Sequence, residues 1–508
     1  MNWSRWANCW LLSAALFGSV ACRRAELEVS GESAKRAIDA PLVERSAVFD
    51  GHTLRLRGAR GETLGVQLRF TRPERAEVAL ELPSESATVH GFRVGYVTVQ
   101  EASTRLYGPS AGPGTYPDPL FPAGTRFRAD RHAFFDVYIR PDAAPGNYSG
   151  QLRIADRSFA AELRVEPVRI DLRKDPLVWV FYLPKEIARL HHMLDDDNAA
   201  LLQVERVYHE LFREHGTYLA ANQRPDRFPP RRQFVRGVKY WPVSLDTRSE
   251  GAIVADVQRW LELFEDTEVT PFAIPIDEPR TSEQKQRAKW IADVMGRAGG
   301  KAPRLLRGVT DSTAPVYANS IDLYIAPGNI PRAERERRES GARFWTYNGK
   351  PPQAGSMIID TAGTALRTWG WIAYRYDVEL WYAWEGLYFE DRYNSGGPTN
   401  VFEDPLTFDE RSKGGSDFGN GDGLLAYPGP IPSLRLKALR RGLQDRLLLQ
   451  KLSACGQRSQ AAAIAAKVMP RALGEAASTK SWSDDEQVFE SARSDVLDAL
   501  SQRCRDAA

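Results

Sequence analysis

Two hydrophobic periods divide the chain. Between residues 45 and 172 apolar positions alternate with polar ones: Leu64, Val66, Leu68 and Phe70 in ETLGVQLRF, and Ala76, Val78, Leu80 and Leu82 in AEVALEL. The same beat returns at Phe135, Val137 and Ile139, and at Tyr148, Leu152 and Ile154. A period of two broken by Pro, Gly and Asp predicts short strands with one face on a core, as in a β-sandwich. The stretch GPSAGPGTYPDPLFPAG, residues 108–124, reads as a long Gly/Pro loop within this region.

From about residue 175 the pattern changes. LVWVFY, residues 177–182, is apolar without a break, the mark of a strand buried on both faces. Leu201, Val204, Tyr208 and Leu211 then share one helical face, with Gly216 as the stop. IVADVQRWLELF predicts a second helix. SEQKQRAKWIADVMGRAGG predicts a third, opened by Thr281 and Ser282. RLLRGVT, IDLYIAP, ARFWTYN and VELWYAWE predict further strands. Strand–helix alternation over this length predicts a (β/α)8 barrel. The chain closes in helices, with Leu436, Leu439, Leu443 and Leu447 on one stripe and a helix-forming SQAAAIAAKV run beyond. The expected fold class is multidomain β plus α/β: an N-terminal β-sandwich followed by a (β/α)8 TIM-like barrel with C-terminal helices. The expected layout is a signal peptide over 1–21, a linker over 22–44, the β-sandwich over 45–172, the catalytic barrel over 173–453 and a helical segment over 454–508.

The first 21 residues carry Arg5, an apolar stretch and then small residues, the pattern of an export signal too short to span a membrane. Ser19-Val20-Ala21-Cys22 resembles a bacterial lipobox, in which Cys22 takes the lipid; Ser19 stands where Leu is usual. Ordinary cleavage after Ala21 fits the same small residues. The expected location is the outer membrane or cell surface of a bacterium, held by lipid on Cys22, or else the periplasm or the secreted fraction. In such an oxidising compartment Cys455 and Cys504, the cysteines outside this segment, are expected to form a disulfide.

Composition narrows the function. A formal net charge of +2 across 508 residues provides no footprint for nucleic acid. The seven His show no zinc spacing, and no metal or organic cofactor is implied. Aromatics are abundant, which suits either a large core or the faces of sugar rings.

The chemistry points to TPFAIPIDEPR, residues 270–280. A short apolar run ends in Asp277 and Glu278, then Pro279. In a (β/α)8 barrel, strand C-termini carry the active site. Pro279 is expected to keep Glu278 extended, and Thr281 and Ser282 can cap the next helix, so the acids need not. Paired carboxylates with different jobs fit glycoside hydrolysis, with burial and mutual repulsion separating their pKa values. Adjacent residues on an extended chain point to opposite sides, a poor geometry for nucleophile and acid on one bond. It suits a substrate that supplies its own 2-acetamido oxygen. Glu278 would then protonate the leaving group, and Asp277 would orient the acetamido nitrogen.

Three stretches carry a resemblance to glycoside hydrolase family 123 and the related domain of unknown function 4091. YPDPLFP with DVYIRPDAAPGNYSGQL is similar to the family's N-terminal region. PIDEP resembles its catalytic pair. GNGDGLLAYPGPIPSLRLKALRRGLQDRLLL resembles its C-terminal signature. The resemblance implies a sandwich and a (β/α)8 barrel, with retaining, substrate-assisted removal of β-linked N-acetylgalactosamine through Asp277 and Glu278. The partner is then a carbohydrate, a glycan or glycoconjugate.

Further candidates for holding a sugar sit near predicted strand ends: Trp345, Tyr347 and Asn348; Trp381, Trp384 and Glu385; and, more weakly, Tyr240 and Trp241. Asp422, between Gly421 and Gly423, belongs to a loop able to reach the mouth. Arg435, Arg440 and Asp445 read as a solvated or salt-bridged helix face, and PRAERERRES as a charged helix face. Two rival readings remain: a retaining glycosidase with Glu278 as acid/base and Glu385 as its own nucleophile, and a non-catalytic carbohydrate-binding surface lipoprotein.

Overall fold

The computed structural model describes residues 26–71, 76–193, 198–298, 305–326, 341–388 and 400–504. The export segment, Cys22 and the PRAERERRES run lie outside the described residues.

Ten strands build the N-terminal region: β1 (Leu27–Gly31), β2 (Thr53–Arg60), β3 (Thr63–Phe70), β4 (Ala76–Glu81), β5 (Ala87–Val99), β6 (Gly114–Ala123), β7 (Arg126–Ala129), β8 (His132–Ile139), β9 (Gly146–Ile154) and β10 (Arg157–Arg169). They form two five-stranded sheets, β1-β3-β8-β5-β6 and β2-β10-β9-β4-β7. Leu64, Val66, Leu68 and Val137 of the first share a core with Leu54, Val78, Leu80 and Leu163 of the second. The alternation in the sequence marks this shared face.

Two expectations fail here. The supposed linker at 22–44 contains β1, which is buried and pairs antiparallel with β3 from Leu27↔Phe70 to Gly31↔Val66. The supposed loop at 108–124 contains β6, paired with β5. Its prolines concealed it, since proline cannot donate to a ladder. β6 is an edge strand, where one side of the backbone needs no ladder partner.

Eight strands follow: β11 (Val178–Val180), β12 (Thr217–Leu219), β13 (Tyr240–Val243), β14 (Thr270–Ala273), β15 (Leu306–Val309), β16 (Leu323–Ile325), β17 (Arg343–Tyr347) and β18 (Trp381–Ala383). All pair in parallel, in the order β12-β11-β18-β17-β16-β15-β14-β13. The sheet is barrel-like: its two end strands, β12 and β13, are consecutive in sequence. A bridge between Gln223, beyond β12, and Val243, the last residue of β13, joins the two sides. Large rings fill the interior. Trp179 stacks on Tyr382 at 4.1 Å and meets Phe272 edge-on at 5.0 Å, and Phe272 meets Trp345 at 5.0 Å. The helices Ala199–Glu214, Glu250–Leu263 and Ser282–Ala298 lie where the 3.6-residue period put them. Gly216 takes a left-handed φ of 73° after the first. Thr281 and Gln284 cap the third reciprocally: the Thr281 hydroxyl accepts from the Gln284 amide, and the Gln284 side chain accepts from the Thr281 amide.

The helix Leu434–Leu452 departs most from the sequence reading. Leu436, Leu439 and Leu443 are buried as expected, but so are Arg435, Lys437, Arg440, Arg441 and Asp445. Of the two readings of this face, solvated or salt-bridged, the second holds, but the bridges are buried, in a seam between the two regions. Arg435 pairs with Asp118 of β6 at 2.8 Å, Lys437 with Asp136 of β8 at 2.7 Å, Arg440 with Glu32 at 2.6 Å and Arg441 with Glu62 at 3.1 Å. Asp445 takes Arg367 at 2.9 Å and Arg493 at 3.1 Å. A leucine stripe read alone assigns the charges between the leucines to water. It cannot reveal that another sheet covers that side.

The last helix, Glu486–Arg503, returns over this seam, and Cys455 is bonded to Cys504 across a Cα separation of 5.8 Å.

Removing one partner of a buried pair leaves a charge without compensation. Asp445→Ala takes one of two carboxylate partners from each of the buried Arg367 and Arg493, which keep Glu490 and Glu62. It is expected to lower unfolding free energy by about 3–5 kcal/mol, read from urea melts. Glu77→Gln, on the exposed face of β4, should change it by less than about 0.5 kcal/mol.

Candidate active site

The β14 strand stops pairing at Ala273, and the chain runs on through Ile274, Pro275 and Ile276 to the two acids. Ile274 and Ile276 pack on the barrel-interior core, which anchors the segment below the acids. Asp277 and Glu278 are both exposed, at the C-terminal end of the parallel strands. Burial by the protein, expected from the sequence, is not what distinguishes them.

Glu278 is not extended. Its φ is 42°, in the left-handed region that side chains other than Gly, Asn and Asp rarely adopt. This corrects the expectation built on Pro279. Proline disfavours the right-handed helical region for the residue before it, but the left-handed region offered another way out. The consequence is geometric. Alternation to opposite sides holds only along extended chain, so a left-handed residue re-aims its side chain relative to its neighbour.

Thr310, next after β15, holds this turn. Its hydroxyl donates to Asp277 Oδ1 at 2.6 Å and accepts from the Glu278 amide at 2.6 Å. Across the mouth, the Tyr347 hydroxyl at the end of β17 donates to Glu278 Oε1 at 2.7 Å. Arg280 reaches Glu278 Oε2 at 3.2 Å from the solvent side. Tyr382 on β18 completes the floor. Burial, then the charge of Asp277 and after it that of Glu385, pushes its phenol far above the usual range. Burial, then the Glu278 contact, does the same for Tyr347. Both phenols therefore keep their protons, and that of Tyr347 is donated to Glu278.

The other sequence candidates divide. Trp345 is buried in the barrel interior, its indole N–H donating to Glu379 at 3.2 Å. It is core, not a stacking floor. Tyr347, two residues on, shares its face one layer higher and reaches the acids. Trp381 is also buried, stacked on Trp369 at 4.5 Å and donating to the Asn348 carbonyl. Its aromatic face belongs to the helix packing. Asn348 takes a φ of 49°, and its Oδ1 accepts from the Trp384 amide at 3.0 Å, so it ties β17 to the segment after β18. Tyr240 and Trp241 are buried. Trp384 is half-buried, against Tyr388 at 5.3 Å and Phe408 at 6.0 Å. Glu385 is fully buried beside Gly423. Asp422 is buried and receives hydrogen bonds from Trp384 and from Tyr107 of the N-terminal region. It supports the wall of the mouth instead of lining it. Sequence reasoning missed Thr310 and Tyr382. Thr310 was visible only as the last letter of a strand, and Tyr382 was passed over between two tryptophans.

The arrangement offers two exposed carboxylates locked in relative aim, two protonated phenols and an aromatic floor, which suits proton transfer to and from a neutral polar substrate. Among the described residues no group of three or more His, Cys, Asp or Glu is arranged to hold a metal ion.

A parallel barrel-like sheet with paired acids at its strand ends defines a site of the glycoside hydrolase kind. Residues 277–452 match the family model of the glycoside hydrolase 123 catalytic domain, and the resemblance drawn from the motifs stands. A family 123 glycoside hydrolase from Clostridium perfringens, analysed for glycolipid glycan hydrolysis, superposes with a TM-score of 0.65 at 11% identity, over 95% of this chain and 98% of that one. At that identity the likeness establishes the fold. An FMN-binding beta-glucuronidase of Facaelibacterium prausnitzii aligns over 63% of this chain and 51% of its own, at 9% identity and a TM-score of 0.21. Beta-glucuronidase 2 of Bacteroides uniformis, a calcium-binding mutant, covers 80% of this chain and 48% of its own, at 8% identity and 0.29. Overlaps this loose carry no argument. No curated protein matches the chain.

Asp422 generates a pH prediction. Burial raises its carboxyl to about 6 against the hydrogen bonds from Trp384 and Tyr107 and the charge of Arg435. A carboxyl raised on folding binds protons more readily in the native state, so its ionisation costs stability as pH rises from about 4 to about 6. Asp422→Asn removes that slope. Relative to the parent, the variant should gain about 2 kcal/mol between pH 4.5 and 7, measured as the difference of two denaturation curves at each pH.

Proposed function

We propose that this protein is an exported glycosidase that removes terminal β-linked 2-acetamido sugars, of the N-acetylgalactosamine type, with retention. The framework is read as a β-sandwich joined to a closed (β/α)8 barrel. The observation that carries the proposal is the Asp277-Glu278 pair at the mouth, tied through Thr310 and faced by Tyr347. The family match, which begins at Asp277, supports it. A glycolipid glycan, the subject of the Clostridium perfringens enzyme's analysis, is the first natural substrate to try.

In the first step the acetamido carbonyl oxygen attacks the anomeric carbon as the glycosidic C–O bond breaks. Glu278 delivers its proton to the departing oxygen. Oε2 is the oxygen that carries this proton, because Tyr347 holds Oε1, and Arg280 yields Oε2 as the leaving group arrives. Asp277 accepts from the acetamido N–H and stabilises the positive charge of the ring that forms. In the second step water attacks the same carbon from the face just vacated, Glu278 takes its proton, and the acetamido group is regenerated. Two inversions at one carbon retain configuration. A bound sugar also covers the two acids, which supplies the desolvation that the protein alone does not. Trp384 and Tyr382 are the rings placed to face it.

Glu278→Gln should lower turnover about 10²–10⁴-fold on alkyl glycosides and less on nitrophenyl glycosides, whose leaving group needs little protonation. Asp277→Asn should slow both. Glu385→Gln should retain a measurable rate. Abolished turnover in Glu385→Gln, restored by azide, beside a near-silent Asp277→Asn, would mean that the enzyme supplies its own nucleophile.

The lipid anchor belongs to the same proposal. The parent protein should label with palmitate and partition into detergent, whereas Cys22→Ser should do neither. A parent protein recovered lipid-free in the medium removes the anchor.

A further inference from the structure

The two acids differ in what holds them. Glu278 has a rotatable side chain pinned by Tyr347, but its backbone is in a left-handed conformation at φ 42°. For a residue of this kind that conformation persists only when its surroundings enforce it. Asp277 has a shorter side chain on the preceding residue. One atom touches both: Thr310 Oγ1 lies 2.6 Å from Asp277 Oδ1 and 2.6 Å from the Glu278 amide nitrogen. Thr310 itself is 6% exposed, directly after a paired strand, and β-branching limits its rotamers. Its hydroxyl has one proton. The Glu278 N–H can only donate, so the hydroxyl accepts there and spends its proton on Asp277.

We infer that Thr310 is the positioning residue of this site: a single hydroxyl that holds the left-handed turn at Glu278 and, through the same atom, fixes Asp277 Oδ1, so that the relative aim of the two acids is set by one anchor on the neighbouring strand. It touches no reacting atom. The inference rests on the glycosidase reading above and deepens it. Because Oδ1 is occupied, Asp277 presents Oδ2 to the acetamido N–H. The hydroxyl also explains how adjacent residues serve one substrate when extended backbone would turn them apart.

The test compares Thr310→Val, which keeps the shape and loses both hydrogen bonds, with Thr310→Ser, which keeps the hydroxyl. Val should lower kcat about 10–100-fold on nitrophenyl and alkyl 2-acetamido glycosides alike, with KM changed less than about threefold, since substrate contacts remain. Ser should recover most of the loss. Equal thermal melting of the two variants separates aim from folding. Independently of turnover, amide exchange in the peptide spanning Glu278 should be about tenfold faster in Val than in Ser or the parent. A kcat within twofold of the parent in Val, or a Ser variant as impaired as Val, overturns the inference. If the parent cleaves no 2-acetamido glycoside, the glycosidase reading fails by that result. The exchange comparison then decides the anchor by itself: unchanged exchange in Val overturns it, and faster exchange sustains it.

Discussion

The structure depends on one helix that carries its charges inside the protein. Leu434–Leu452 lies between the first β-sheet and the parallel sheet, with leucines and cations alike removed from water. Arg435, Lys437, Arg440 and Arg441 each meet a carboxylate supplied by the N-terminal region: Asp118, Asp136, Glu32 and Glu62. Such pairs contribute little net stability over a hydrophobic interface, because desolvation cancels much of the attraction. What they impose is register. A shift of the helix by one residue would leave four buried cations facing carbonyls, methyl groups or each other, at a cost of several kcal/mol per ion. Only one arrangement of the two regions satisfies all of them together.

That constraint reaches the candidate active site through Arg435. Its guanidinium holds Asp118 and also donates to the carbonyls of Met357 and Gly421. Gly421 opens the turn that carries Asp422, and Asp422 in turn receives Trp384 and Tyr107. The wall of the mouth therefore depends on the N-terminal region, although that region supplies neither acid. The opposite side is built differently. There the acids depend on local backbone and on neighbouring strands, with Thr310 from after β15 and Tyr347 from β17 closing around Glu278. A rigid wall on one side and a strained turn on the other produce a mouth that is open to solvent but fixed in shape.

Much of this was legible in the order of residues. The change from a period of two to a period of 3.6 near residue 175 marked the boundary between the regions, since a half-buried strand and an amphipathic helix need different spacings to put apolar groups on one side. The acids stood out because an apolar run that ends in Asp-Glu-Pro has no packing reason to do so. Other features were misread for equally physical reasons. Prolines in β6 looked like loop because a proline-rich ladder is tolerated only at a sheet edge, and edge position is a property of the assembled sheet. Trp345 and Trp381 looked like sugar platforms because they sit on the correct strands. Tyr347 shares the face of Trp345 one layer nearer the strand end, and Tyr382 lies on the opposite face from Trp381, a single residue away.

The sequence by itself determined most of the strands and helices (though not β1 or β6), where the acids fall relative to a strand end, and which cysteines remain to pair. These follow from local rules: side-chain period, capping and the fixed φ of proline. Only the tertiary structure decided that Glu278 adopts a left-handed turn, that Thr310 binds both neighbours through one oxygen, and that a charged helix face is buried. Each of these depends on what another part of the chain, tens to hundreds of residues away, brings within hydrogen-bonding distance. A period along the chain records the environment of a face, but it does not record the partner that creates it.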